Sequence, residues 1–249
     1  MRTKILLAIF FAGLPSSYEG AIYADFAAKL NAKKVAIVKH ADEWSDAKVP
    51  RLLEGLKAKG MTVVANEQFD RGATDATPQV LRLIEAKPDA VVAILYPAEA
   101  ASFLRDAYRL GLKSSFILPT SSSDLIDLQN RIGSKEAMAG VYAVSPLIGP
   151  PGSPEIAKYE EIFKKYYPST RVQTNVFHGM AGTNLMLDAL KRAGTDLSRE
   201  SFLQALNTTD GLDAGSAPCK IKLTPEQHQG CFTGTVFTLK DDKVVVARP

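Results

Sequence analysis

Lys34-Val35-Ala36-Ile37-Val38-Lys39, Met61-Thr62-Val63-Val64-Ala65 and Asp89-Ala90-Val91-Val92-Ala93-Ile94-Leu95-Tyr96 decide the fold. Each is a short run of small or β-branched apolar residues without polar alternation, the pattern of a strand buried on both faces. Such strands belong to a parallel sheet held between two helical layers. In these sheets a ligand lies in the crevice at the carboxyl ends of the strands. The residues there are Asp42, Glu43 and Trp44 after the first strand, and Tyr96 and Glu99 after the third.

The neighbouring segments extend the alternation. Ser16-Ser17-Tyr18-Glu19 reads as a capping box that opens a helix to about Lys29. A helix carrying Val49, Leu52, Leu53 and Leu56 follows the first strand, with Pro50 in its first turn and Gly60 beyond its end. Further helices run through Val80–Ile84 and Ala98–Leu110. A fourth strand, Ser115–Leu118, stops at Pro119, and a fifth covers Gly140–Val144. This order predicts a doubly wound α/β domain with helices on both faces of a parallel sheet.

The pattern changes at Pro146–Pro154, a dense Pro/Gly stretch that reads as a hinge. Helices at about Pro154–Tyr167, Val176–Ala193 and Arg199–Leu206 follow without intervening strands. Their apolar faces, such as Ile156, Ile162 and Phe163 or Phe177, Met180, Leu187 and Leu190, require a partner. The tail predicts an appended β pair at Lys220–Leu223 and Phe232–Leu239, then a turn at Asp241-Asp242-Lys243 before Val244–Val246. The expected organisation is a signal-like or crossover segment at 1–15, an α/β lobe at 16–145 and a hinge at 146–153. Helices of another, incomplete lobe occupy 154–210, and C-terminal strands occupy 211–249.

Bulk properties exclude several classes. With 249 residues, 46% hydrophobic and 23% charged, the chain can bury a substantial core. Its net charge of +3 is dispersed, without the basic block or stripe of a nucleic-acid partner. The run from Ile5 to Leu14 is about half the length of a membrane-spanning helix. Preceded by Arg2 and Lys4, it has the layout of a signal peptide and points to export to the periplasm. A buried strand or linker is the other reading. Cys219 and Cys231 suit a disulfide in an oxidising compartment, or two buried thiols. With His228 the only other soft ligand nearby, no metal site is expected. No phosphate loop, Gly-x-Gly-x-x-Gly turn or nucleophile elbow is present, so neither a cofactor nor catalysis is expected.

Taken together, the segments resemble the leucine/isoleucine/valine-binding family of type I periplasmic solute-binding proteins. The matching stretches are Glu19-Gly20-Ala21, Lys34–Val38, Gly60–Val64, Gly72-Ala73-Thr74-Asp75, Pro88–Val91, the hinge with the Tyr159 helix, and Asp188-Ala189-Leu190-Lys191-Arg192-Ala193-Gly194. Gly179-Met180-Ala181 departs from the family's Gly-Tyr-Asp. The resemblance implies two α/β lobes joined by three crossovers, closing on a small solute that is delivered to an ABC permease, without catalysis. Against full-length members the chain opens just before the first crossover, so most of the N-terminal lobe is expected to be lacking. Weak binding by this chain alone is then expected, as is self-association through uncovered helices.

The same resemblance implies that Trp44 and Tyr96 contact the solute, with Thr120 and Ser121 after the fourth strand. Trp44 also reads as an anchor for its helix, Tyr96 as a core residue, and the serine run as helix capping. Amino-acid binders of the family hold the solute's ammonium with a carboxylate, which a hydroxyl cannot replace. Glu43 and Glu99, with Asp42, are the acids able to supply it, and a ligand such as an aromatic acid fits equally well. A ligand-sensing domain of the same fold, acting through a partner protein, is the alternative function; an α/β enzyme is the third.

Overall fold

The computed structural model describes residues 9–248. Five strands run parallel: β1 (Lys34–Lys39), β2 (Thr62–Gln68), β3 (Ala90–Ile94), β4 (Ser115–Leu118) and β5 (Val141–Ser145). Two more, β6 (Thr235–Lys240) and β7 (Lys243–Val246), continue the sheet antiparallel, giving the order β2-β1-β3-β4-β5-β6-β7. β3 is buried along its whole length, as are the four central residues of β1, whereas edge strand β2 is only half-buried. The strand order, not the strand direction, reverses at β1: the chain goes outward to β2, then back past β1 to β3. The carboxyl ends of β1 and β3 therefore flank the topological switch point.

Side-chain alternation divides the core into two layers. Val35, Ile37, Val92 and Ile94 pack with Tyr23 and Phe26 of α1 (Glu19–Lys29) and Leu52 and Leu56 of α3 (Val49–Ala58). Ala36, Val38, Val91 and Ala93 face the other way. They meet residues such as Val80 of α4 (Thr77–Ala86), Phe103 of α5 (Pro97–Leu110) and Leu128 of α6 (Leu125–Ile132). Each fully buried Leu, Ile or Phe contributes about 1.5–3 kcal/mol relative to exposure. α1 and α3 lie close because Gly20 has no side chain. A Cβ there would stand 2.1 Å from the Lys48 carbonyl oxygen and 2.7 Å from the Leu52 nitrogen.

Three expectations are corrected. The C-terminal β pair is not Lys220–Leu223 with Phe232–Leu239: it is β6 with β7, and β6 also pairs with β5, extending the main sheet. Lys220–Leu223 forms no strand and makes one bridge, Leu212 to Ile221. Ser16–Glu19 is not a capping box. Ser16–Tyr18 form a 3-10 turn whose start has no side-chain cap, and Glu19 accepts instead from Tyr23 on its own helix and from distant Thr120.

The later helices, α7 (Ala157–Tyr166), α8 (Thr174–Ala193) and α9 (Arg199–Asn207), are partly covered. Leu185 and Ala189 of α8, Ala205 and Leu206 of α9, and Ala214, Ile221 and Leu223 form a third apolar cluster. Cys231 lies in it, bonded to Cys219 with Cα atoms 6.0 Å apart. Ile162, Tyr166, Met186 and Leu187 stay exposed. The chain passes between this cluster and the sheet quickly: Ala12 packs in the third cluster and Leu14 in the sheet's α1–α3 layer. Arg2, Lys4 and the first residues of the signal-like run lie outside the described residues. Phe11 is built into the fold, donating to the His228 carbonyl at 2.9 Å and accepting from Gly230 N–H at 2.8 Å.

Candidate ligand-binding site

The loop leaving β1 folds into a single helical turn, α2 (Glu43–Asp46). Asp42 caps it, its carboxylate accepting from Ser45 N–H at 2.8 Å. Burial opposes ionisation of Asp42. The hydrogen bonds from Ser45 and the nearby His40 and Arg71 outweigh it and hold the carboxyl below its ordinary value. The cap turns Trp44 back over the switch point. Tyr96 arrives there from β3, in extended backbone just before Pro97 starts α5. The two rings stack, centroids 4.4 Å apart and planes inclined by 18°.

Two residues that sequence reasoning did not select complete the platform. The Arg71 guanidinium, from the loop after β2, lies 4.5 Å from the Tyr96 ring centroid, in cation–π range, and 3.6 Å from Asp42. Its side chain is 63% exposed, which leaves most of its donors open to a solute. His40 is buried beneath, stacked on Tyr96 with centroids 5.3 Å apart. Its Nε2 accepts from Tyr96 N–H at 3.3 Å, so Nδ1 carries the proton and donates to the Phe69 carbonyl at 2.7 Å. That tautomer ties the ends of β1, β2 and β3 together. The only signals in the sequence were their positions, directly after a buried strand and as the cation of the 70–75 loop.

The remaining candidates fall into different roles. Thr120 donates both its backbone N–H, at 3.0 Å, and its hydroxyl, at 2.9 Å, to the buried carboxylate of Glu19. Glu19 also accepts from the Tyr23 hydroxyl at 2.5 Å. Burial, with Glu19 alongside, holds that hydroxyl well above its ordinary pKa, so Tyr23 remains a donor. Thr120 is thus committed to joining α1 to the end of β4. The Ser121 hydroxyl oxygen is buried without a partner among the described residues. Glu99 is buried and accepts from Gly72 N–H at 2.8 Å, fixing the Arg71 loop. Glu43 is exposed in the first turn of α2.

The site is a half-exposed platform on which Arg71 is open to solvent. Two grooves lie apart from it: one of about 540 Å³ between Ser123–Ile126, Pro150–Ser153 and Asp242–Val245, and one of about 760 Å³ between Pro15–Tyr18, Ala47 and Glu226–Gln229. Neither is lined by Trp44 or Tyr96. No group of His, Cys, Asp and Glu able to hold a metal occurs among the described residues. No helix among them is long and apolar enough to cross a membrane.

A family model described as periplasmic binding protein matches residues 9–243. Among solved structures, the chain is similar to a branched-chain amino acid ABC transporter protein from Thermus thermophilus with bound valine. That match has 23% identity and a TM-score of 0.83, covering 96% of this chain and 66% of that one. A putative branched-chain amino acid ABC transporter protein from Rhodospirillum rubrum has 20% identity and a TM-score of 0.81, with 96% and 67% covered. A fatty acid ABC transporter substrate-binding protein from Thermomonospora curvata has 20% identity and a TM-score of 0.81, with 94% and 62% covered. The chain thus spans about two thirds of the length of these structures, and at such identities the likeness is one of fold. A search of curated proteins found no match.

Proposed function

The chain belongs to the periplasmic binding protein family, and from that premise we propose that it is the solute-capturing component of an ABC transporter, acting in the periplasm. Its cargo is a branched-chain amino acid or a related small organic solute, and its chemistry is binding without turnover. The single observation that carries this reading is the Trp44–Tyr96 stack at the β1/β3 switch point, where doubly wound sheets bind ligands. The half-buried rings of Trp44 and Tyr96 offer apolar edges to a hydrocarbon or aromatic group, and Arg71 supplies donors for a carboxylate. The Thermus thermophilus protein with bound valine and the fatty acid transporter protein from Thermomonospora curvata support this class, since both solutes pair a carboxylate with an apolar tail.

Thr120 and Glu99 hold the platform in place, while Ser121 and Glu43 remain the candidates for direct polar contact. A platform open on one side removes only part of a small solute from water. The chain alone is therefore expected to bind at about the millimolar level, roughly 4 kcal/mol. Titration calorimetry with leucine, valine, benzoate and octanoate tests this. Weak, saturable binding of one of these classes is the expected result, and submicromolar binding by the isolated chain contradicts the open platform.

A further inference from the structure

Lys48 has no exposed surface, a rare state for a lysine unless its ammonium is fully partnered. It sits just before α3, four residues after Trp44, with its backbone carbonyl against Gly20 of α1. Its ammonium donates to the Trp44 carbonyl at 3.0 Å and lies 3.7 Å from the centroid of the Trp44 ring. A further hydrogen bond goes to the Ser16 hydroxyl. Ser16 is two residues beyond Leu14, where the chain has crossed from the α8–α9 cluster to the sheet. One ammonium thus touches the stacked indole on one side and the end of a connecting segment on the other.

We propose that Lys48 is a positioning residue that fixes the indole of Trp44 on the Tyr96 platform and couples it to the connecting segment at Ser16. This rests on the reading of Trp44 as a solute-contacting residue, but its geometry exists without solute. A cation over an indole face is attracted by the ring quadrupole, more strongly where water is excluded. Losing the charge releases that face, and losing the Ser16 hydroxyl removes one of the ammonium's two hydrogen-bond acceptors among the described residues. Burial disfavours the charged amine and holds Lys48 below the ordinary lysine value, against the opposing pull of Glu19 on α1 and Asp42 in the loop before α2. The coupling therefore weakens on the alkaline side.

Trp44 is the only tryptophan, so intrinsic fluorescence reads this contact directly. The test follows Trp44 emission of the solute-free protein through neutral and alkaline pH in wild type, Lys48→Met and Ser16→Ala. Wild type should show a transition centred below the usual lysine range, absent in Lys48→Met. The eight tyrosines contribute the same background in all three proteins. Ser16→Ala, which keeps the lysine, should move the transition to still lower pH and increase quenching of Trp44 by acrylamide. Identical titrations in wild type and folded Lys48→Met overturn the proposal. If Lys48→Met does not fold, an unchanged titration and unchanged quenching in Ser16→Ala overturn it instead. A solute that binds without perturbing Trp44 would count against the solute reading and leave these fluorescence outcomes unaffected.

Discussion

Trp44 and Tyr96, 52 positions apart in sequence, stack at 4.4 Å across the gap between the carboxyl ends of β1 and β3. Each ring holds the other, so the pair acts as one surface. Tyr96→Ala is expected to remove the support of Trp44, shift its emission to the red and weaken solute binding about tenfold, some 1.4 kcal/mol. Fluorescence and calorimetry on the variant check both effects. Unchanged affinity would remove Tyr96 from the site.

Thr120 is expected to matter for stability more than for affinity. Thr120→Val removes one donor to Glu19 and leaves the other in place, at a cost of about 1–2 kcal/mol. Urea denaturation should show that loss while solute affinity moves less than twofold. A large loss of affinity at unchanged stability would return the hydroxyl to the solute.

Gly20→Ala tests the close approach of α1 and α3. The obstructing atoms are backbone atoms of Lys48 and Leu52, which cannot rotate away. Overpacking of this kind costs about 1–3 kcal/mol. The expected result is a lower denaturation midpoint together with altered Trp44 emission, because the displaced backbone carries Lys48.

His178 sets an acid-side dependence. Its Nε2 is buried without a partner among the described residues, and a Cβ at Gly13 would lie 3.5 Å from it. Burial holds the imidazole below its ordinary value of 6.5. Just below that value the unfolded chain binds more protons than the folded one, so stability is full above it and falls as pH drops through the folded value. Thermal melts from about pH 7 to about pH 5 should show a falling midpoint, and His178→Gln should flatten the slope. A slope unchanged in His178→Gln would assign the dependence to other groups.

The residues divide by how local their signals are. The five parallel strands and the positions of Trp44 and Tyr96 were legible because strand burial and the carboxyl-end rule depend on short windows. Glu19 was misread for the opposite reason. A local capping pattern lost to Thr120, a partner 101 residues away. Arg71 and His40 were marked in the sequence only by position, and Lys48 not at all, since their contacts with Tyr96, Phe69 and Ser16 form only when separate segments meet. The C-terminal strands were recognised as strands, but their pairing with β5 is a long-range choice.

The most direct measurement uses the single indole of Trp44 as a nuclear magnetic resonance probe, since weak binding still moves a resonance. The ¹⁵N-labelled chain is titrated with leucine, benzoate and octanoate. The platform account predicts that one of these moves the indole N–H signal progressively and saturably, together with the backbone amide of Tyr96. Saturable shifts confined to the groove around Ile126, Gly152 and Val244, with the indole signal unmoved, would contradict it.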